Sequence, residues 1–76
     1  MTRTVELDVR GLEPPEPLER VLAALEALPA RDSLLLKIDC RPVPLYRILD
    51  RDGYLYDERP GSESLYEITI RAPDGA

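Results

Sequence analysis

Two stretches of this chain begin with the same proline pattern, and each follows a run of apolar residues in alternation. Residues 15–22 read PEPLERVL and residues 42–49 read PVPLYRIL, so the prolines, the leucines and the arginine coincide. Proline suits the first turn of a helix, where its missing N–H needs no partner. Apolar residues continue at helical spacing in both stretches, with charged residues between them. The sequence therefore predicts two amphipathic helices that start in the same way.

Alternating apolar residues predict a strand before each helix. Residues 5–9 carry Val5, Leu7 and Val9 on one face, and residues 34–38 alternate in the same way. Gly11 ends the first strand, and Gly53 ends the second helix. Residues 54–58 and 65–71 are predicted to form a closing hairpin around Pro60-Gly61-Ser62. The predicted order is βαβαββ.

The strand order constrains where a functional site lies. A strand–helix–strand crossover is right-handed in nearly every case, so the first two strands are expected to be parallel, with their helices on one face. The loops at residues 11–17 and 39–44 then open on the same edge of the sheet. In open α/β sheets this carboxyl edge is the usual place for function.

Composition excludes many functions. The 76 residues allow one domain, expected over residues 1–71, with residues 72–76 frayed. There is no histidine and one cysteine, which excludes an internal disulfide and His-dependent catalysis. A net charge of −5 argues against nucleic acid as a partner.

No apolar stretch is long enough to cross a bilayer, so we expect a cytoplasmic protein. The lack of Asn and Gln and the excess of Arg fit either a heat-adapted protein or a GC-biased genome.

The first loop resembles that of the TusA-like (SirA-like) sulfur carriers. Their loop reads Gly-Leu-x-Cys-Pro-x-Pro, and its cysteine carries a persulfide; residues 11–17 here read GLEPPEP. The cysteine position is Pro14, which cannot carry sulfur. The chain is more similar to a related branch of unknown function that has the same opening motif without that cysteine.

The second loop resembles that branch too, with one departure. The branch tends to read Asp-His-x-Pro-x-Pro-Leu, whereas residues 39–45 read DCRPVPL, so Cys40 replaces the histidine. The resemblance implies an α+β two-layer sandwich: a mixed four-stranded sheet with two helices on one face.

Cys40 is the one candidate reactive thiol. The start of the second helix and the neighbouring Arg41 would favour its thiolate, and Asp39 would oppose it. The alternative is a small, inert side chain at a strand end. No catalytic residue, metal ligand or cofactor is expected. The binding candidates at the shared edge are Arg10, Gly11, Glu13, Pro15, Glu16, Pro17, Asp39, Cys40, Arg41, Pro42 and Pro44.

Two other interpretations of this edge stay open. The helix N-termini are a possible anion cradle with Arg10 and Arg41, although the prolines remove amides and the acids add like charge. The carboxylates of Asp8, Glu13, Glu16 and Asp39 are candidates for acid–base or cation chemistry, but the helix dipole alone accounts for acids near helix starts.

The tyrosines offer a further surface. Tyr66 is predicted to face the core, whereas Tyr54 and Tyr56 either complete the core or form an exposed pair on an edge strand.

We expect a non-enzymatic protein-interaction module that works beside sulfur-relay or redox proteins, as a monomer or weak homodimer that binds neither nucleic acid nor membrane. The alternative is a sulfur carrier or redox sensor acting through Cys40. RNA binding, suggested only by a shared fold type, is opposed by the charge.

Overall fold

Six elements follow one another in the predicted order. The computed structural model describes residues 3–73. Its elements are β1 (Thr4–Asp8), α1 (Glu16–Ala27), β2 (Ser33–Ile38), α2 (Val43–Asp52), β3 (Leu55–Pro60) and β4 (Tyr66–Arg71). The sheet order is β1-β2-β4-β3; β1 and β2 are parallel, and the other two pairs are antiparallel. The predicted α+β fold with a mixed four-stranded sheet is confirmed.

Both helices lie on the same face of this sheet. Strands β2 and β3 each run antiparallel to β4, so they are parallel to one another. The crossovers from β1 to β2 and from β2 to β3 therefore advance in the same direction across the sheet. Because crossovers of this kind are right-handed, α1 and α2 cover one face and leave the other open.

The core fills the space between the helices and the sheet. Leu34 pairs with Ile70 and Leu36 with Ile68 across the two central strands, and all four are fully buried. The other buried apolar residues are Val9, Val21, Leu25, Ile38, Leu45 and Leu49. Each helix thus contributes two buried residues spaced one turn apart, as its apolar stripe predicts.

Two details of the strands differ from prediction. Val5, placed on the apolar face of β1, is 43% exposed, because β1 is an edge strand and has a neighbour on one side only. Pro60, predicted in the turn, is the last residue of β3, and that strand begins at Leu55 rather than at residue 54. An edge strand tolerates proline because no neighbouring strand needs the missing N–H.

The tyrosines pack against the core. Tyr54, Tyr56 and Tyr66 are all half-buried, which decides the open question in favour of core completion. Tyr56 also stacks on Tyr46 of α2, with ring centroids 4.7 Å apart.

The C-terminal boundary is only partly described. Ala72 and Pro73 are half-buried, and residues 74–76 lie outside the described residues. The frayed tail therefore stays a prediction. No helix within residues 3–73 has the length and apolar character needed to cross a membrane.

Candidate functional site

Three connecting segments meet at the carboxyl edge of the parallel strands. Asp8 of β1 lies opposite Lys37 of β2, so the loops that follow both strands leave the sheet together. Strand β4 starts at the same edge, because Tyr66 lies opposite Ile38. We call residues 9–15, 39–42 and 61–65 the carboxyl edge. The predicted meeting of the two loops is confirmed, and the β3–β4 turn joins them.

The first loop turns sharply after β1. Gly11 has a φ of 82°, a conformation that residues with a side chain rarely adopt. The amide of Leu12 donates to the carbonyl of Val9 over 3.3 Å, and the amide of Glu16 donates to the carbonyl of Glu13 over 2.9 Å. These bonds lead the chain from the strand into α1.

Arg10 is bound by its own neighbours. Its Nε lies 2.9 Å from Asp8 Oδ1 and its Nη2 lies 2.7 Å from Asp8 Oδ2, while Nη1 donates to the Glu63 carbonyl over 2.6 Å. These hydrogen bonds from Arg10 lower the pKa of Asp8 to about 2. The hypothesis that Arg10 attracts an anion is not supported, because an internal carboxylate already takes up its charge.

Arg41 is bound in a similar way. Its Nε and Nη2 lie 3.2 and 3.0 Å from the two carboxylate oxygens of Glu58 on β3. The hydroxyl of Tyr46 also donates to Glu58, over 2.5 Å. Hydrogen bonds from Tyr46 and Arg41 hold the pKa of Glu58 below its usual value. That Arg41 supports a thiolate at Cys40 stays a prediction; its guanidinium is directed to Glu58.

Cys40 lies between two tethered residues. Before it, Asp39 Oδ1 accepts a hydrogen bond from the Leu65 amide over 3.0 Å; after it, Arg41 is held by Glu58. The thiol itself is exposed. The loop therefore presents Cys40 to solvent while both its neighbours are fastened to the β3–β4 hairpin.

The helix starts offer few donors to an anion. Pro17 and Pro44 lack an N–H, and neither helix has a side-chain cap. The Glu16 amide is used within the first loop, and the Val43 amide donates to the Arg41 carbonyl over 3.0 Å. Since most amides that would hold an anion are missing or occupied, the cradle hypothesis is not supported.

The acids near this edge have separate partners. Asp8 binds Arg10, Glu16 binds Arg20 over 2.9 Å, and Asp39 accepts from Leu65. Within residues 3–73 no three acidic or cysteine side chains come together in a way that would hold a metal ion. Glu13, Pro15 and Glu16 instead line an open groove of about 540 Å³, together with Pro14, Glu19, Arg20 and Ala23.

Two exposed apolar residues occur at the carboxyl edge, one in the β3–β4 turn that binds Asp39 and one at the start of α2. Leu65 is 66% exposed and Val43 is 45% exposed, and Pro42 and Pro44 flank Val43. We call Pro42, Val43, Pro44 and Leu65 the apolar patch. The backbone amide of Leu65 donates a hydrogen bond to Asp39 Oδ1, so the β3–β4 turn lies against the loop that carries Cys40.

Sequence reasoning missed the hairpin residues of this site. Glu58, Glu63 and Leu65 are far from the two loops along the chain, and no local pattern marks them. The one available signal was topological: a fourth strand antiparallel to β2 must begin at the carboxyl edge, which brings the preceding turn there.

The comparisons agree with this geometry. The chain is similar to the crystal structure of a SirA-like protein from Desulfitobacterium hafniense, with a TM-score of 0.66, 24% sequence identity, and coverage of 95% of this chain and 99% of that one. At this identity the likeness establishes a SirA-like fold. The family described as "Uncharacterized conserved protein (DUF2249)" matches residues 6–72, and the chain belongs to that family. A comparison with curated proteins found no match.

Proposed function

We propose that this chain is a non-catalytic protein-interaction module that works beside sulfur-relay or redox proteins in the cytoplasm. It retains the scaffold of the sulfur carriers, but Pro14 stands where the resembled motif has its persulfide cysteine. The observation that carries the proposal is the apolar patch: Val43 and Leu65 are exposed at the edge where related folds are expected to function.

The surroundings of the patch favour docking over chemistry. Arg10 and Arg41, the cations nearest the two loops, are bound by carboxylates of the same chain. The loop is fastened at Asp39 and Arg41. A surface held in place before contact loses less conformational freedom on binding, and exposed apolar side chains supply the contact area.

A site-specific crosslink tests this proposal. Because Cys40 is the single cysteine, a thiol-directed photo-crosslinker can be attached beside the patch and activated in a native extract. The matched control is the double variant Cys40→Ser, Glu26→Cys, which places the probe at an exposed position near the end of α1. We expect a discrete crosslinked partner from Cys40, absent from the control and lost in Leu65→Asp. Identical crosslinks from both positions would contradict the proposal.

The exposure of Cys40 supports a second candidate, a sulfur carrier or redox sensor acting through this thiol. This function requires an activated thiolate, so the alkylation rate should reach its midpoint well below about pH 8.5, the free-thiol value. Sulfur uptake from a persulfide donor should be abolished in Cys40→Ser while the fold is retained. A midpoint near the free-thiol value, or equal labelling of the variant, would exclude this candidate.

A further inference from the structure

The two outer strands of the sheet differ in the backbone groups that they present. The backbone amide of Val9 donates to the Lys37 carbonyl, and the amide of Ser33 donates to the Arg3 carbonyl. The odd-numbered residues of β1 therefore bond to β2. The amides and carbonyls of Thr4, Glu6 and Asp8 therefore point away from the sheet, since strand residues alternate. Within residues 3–73 no strand pairs with this side of β1.

Strand β3 is the less suitable edge. The Gly61 amide donates to the Leu65 carbonyl, so the odd-numbered residues of β3 bond to β4, and the backbone groups of Tyr56, Glu58 and Pro60 point away from the sheet. Pro60 has no N–H, which interrupts the row of donors. Charges and prolines of this kind protect an edge strand against pairing. Strand β1 contains no proline, and its outward row of three donors and three acceptors is complete.

The side chains of β1 are divided between two faces. Val5 and Leu7 lie on the helix side, where Val5 is 43% exposed and Leu7 is half-buried. Glu6 and Asp8 lie on the open face, with side chains 62% and 45% exposed. A strand added to this edge would place alternate residues against the apolar pair and the acidic pair.

Charge decides what kind of strand fits. Lys37 Nζ is shared, 2.6 Å from Glu63 and 3.1 Å from Glu6, while Arg10 binds Asp8. Three acids thus meet two bases here, on a chain of net charge −5. An antiparallel second copy centred on Glu6 would place that residue against its own counterpart, and like charges directly opposite are destabilising.

We propose that β1 binds an extended segment of a partner protein in which basic residues alternate with β-branched apolar residues. A basic residue lies beside Glu6, which shares Lys37 with Glu63, the apolar residues lie beside Val5 and Leu7, and the backbone continues the sheet by strand addition. This surface is separate from the apolar patch and goes beyond the proposed function.

The test uses purified protein and a short capped peptide of alternating lysine and valine. Addition of the peptide should slow amide hydrogen exchange at Thr4, Glu6 and Asp8, whose amides have no partner among residues 3–73. Thr4→Pro removes one outward donor and no bond to β2, so it should weaken binding by about fivefold, whereas Thr4→Ala keeps the donor and should bind normally. Added salt should also weaken binding.

Three results would overturn the proposal. Equal binding of a peptide with the same composition but with its lysines in one block would show that charge alone is responsible. Equal affinity of the Thr4→Pro and Thr4→Ala variants would exclude backbone pairing. Dimerisation without peptide that Thr4→Pro abolishes would assign the edge to a second copy. Because the assay does not involve Cys40 or Leu65, its failure would leave the crosslinking test unaffected.

Discussion

Two adjacent leucines of β2 provide a stringent test of the two-layer fold. Leu36 has 0% exposure and lies between Leu7 and Ile68 on the helix-covered face. Leu35 is half-buried on the open face, between Glu6 and Thr69. The variants Leu36→Ala and Leu35→Ala delete the same atoms from the same strand, one from each side of the sheet.

The burial of the two side chains determines the size of each effect. Truncation of a fully buried leucine costs about 3 kcal/mol of unfolding free energy, from lost transfer energy and the remaining cavity. Truncation at the open face should cost less than about 1 kcal/mol. A domain of this size has a total stability of about 5 kcal/mol, so Leu36→Ala should retain less than half of it.

Urea denaturation followed by circular dichroism measures both variants. With a slope of about 1 kcal/mol per molar urea, the midpoint should fall by about 3 M for Leu36→Ala and by less than about 1 M for Leu35→Ala. If Leu36→Ala does not fold, Leu36→Val and Leu35→Val give the same comparison, with a loss of about 1 kcal/mol at position 36 and a smaller loss at position 35. Equal shifts for both positions, or a larger shift for Leu35→Ala, would refute the assignment of the covered face.

Three further predictions concern single contacts. Hydrogen bonds from Arg10 lower the pKa of Asp8 from its ordinary value of 3.8 to about 2. The ionised Asp8 therefore stabilises the fold above pH 3.8, and this stabilisation is lost as the pH falls toward 2. Asp8→Asn should lose less unfolding free energy than the parent protein over that pH range, as measured by denaturation at a series of pH values. Burial and the bond to Glu58 raise the pKa of Tyr46, so Tyr46→Phe should reduce the tyrosine ionisation seen above the ordinary range in an absorbance titration and cost about 1 kcal/mol of unfolding free energy. Gly53 ends α2 with a φ of 81°, so Gly53→Ala should lower the melting temperature at a cost of about 1 kcal/mol; an unchanged melting temperature would contradict that conformation.

The loops at the carboxyl edge were predictable because their positions follow from local patterns and one general rule. Alternation identifies β1 and β2, the prolines identify both helix starts, and the handedness of crossovers brings residues 11–17 and 39–44 together. The partners of Arg10 and Arg41 in the β3–β4 hairpin were not predictable. Each arginine binds a group of the hairpin, and nothing near either one in the chain specifies Glu63 or Glu58.

The difference between local patterns and pairings of distant segments also accounts for the errors at the sheet edges. The pattern of β1 indicates an apolar face, but it does not reveal that β1 has no outer neighbour, and so the exposure of Val5 was not predicted. Pro60 has the local signature of a turn, yet it lies in β3, because that strand is the opposite edge of the sheet.

The sequence by itself determined the elements, their order and the buried faces of β1, β2 and both helices, because the spacing of apolar residues and the position of prolines are local properties of the chain. It also determined that no cysteine stands at Pro14. Only the tertiary structure decided that Glu58 neutralises Arg41, that the Leu65 amide binds Asp39 next to Cys40, and that within residues 3–73 β1 keeps a complete row of outward backbone groups. These properties depend on pairings between distant segments, and the packing of the whole sheet selects those pairings.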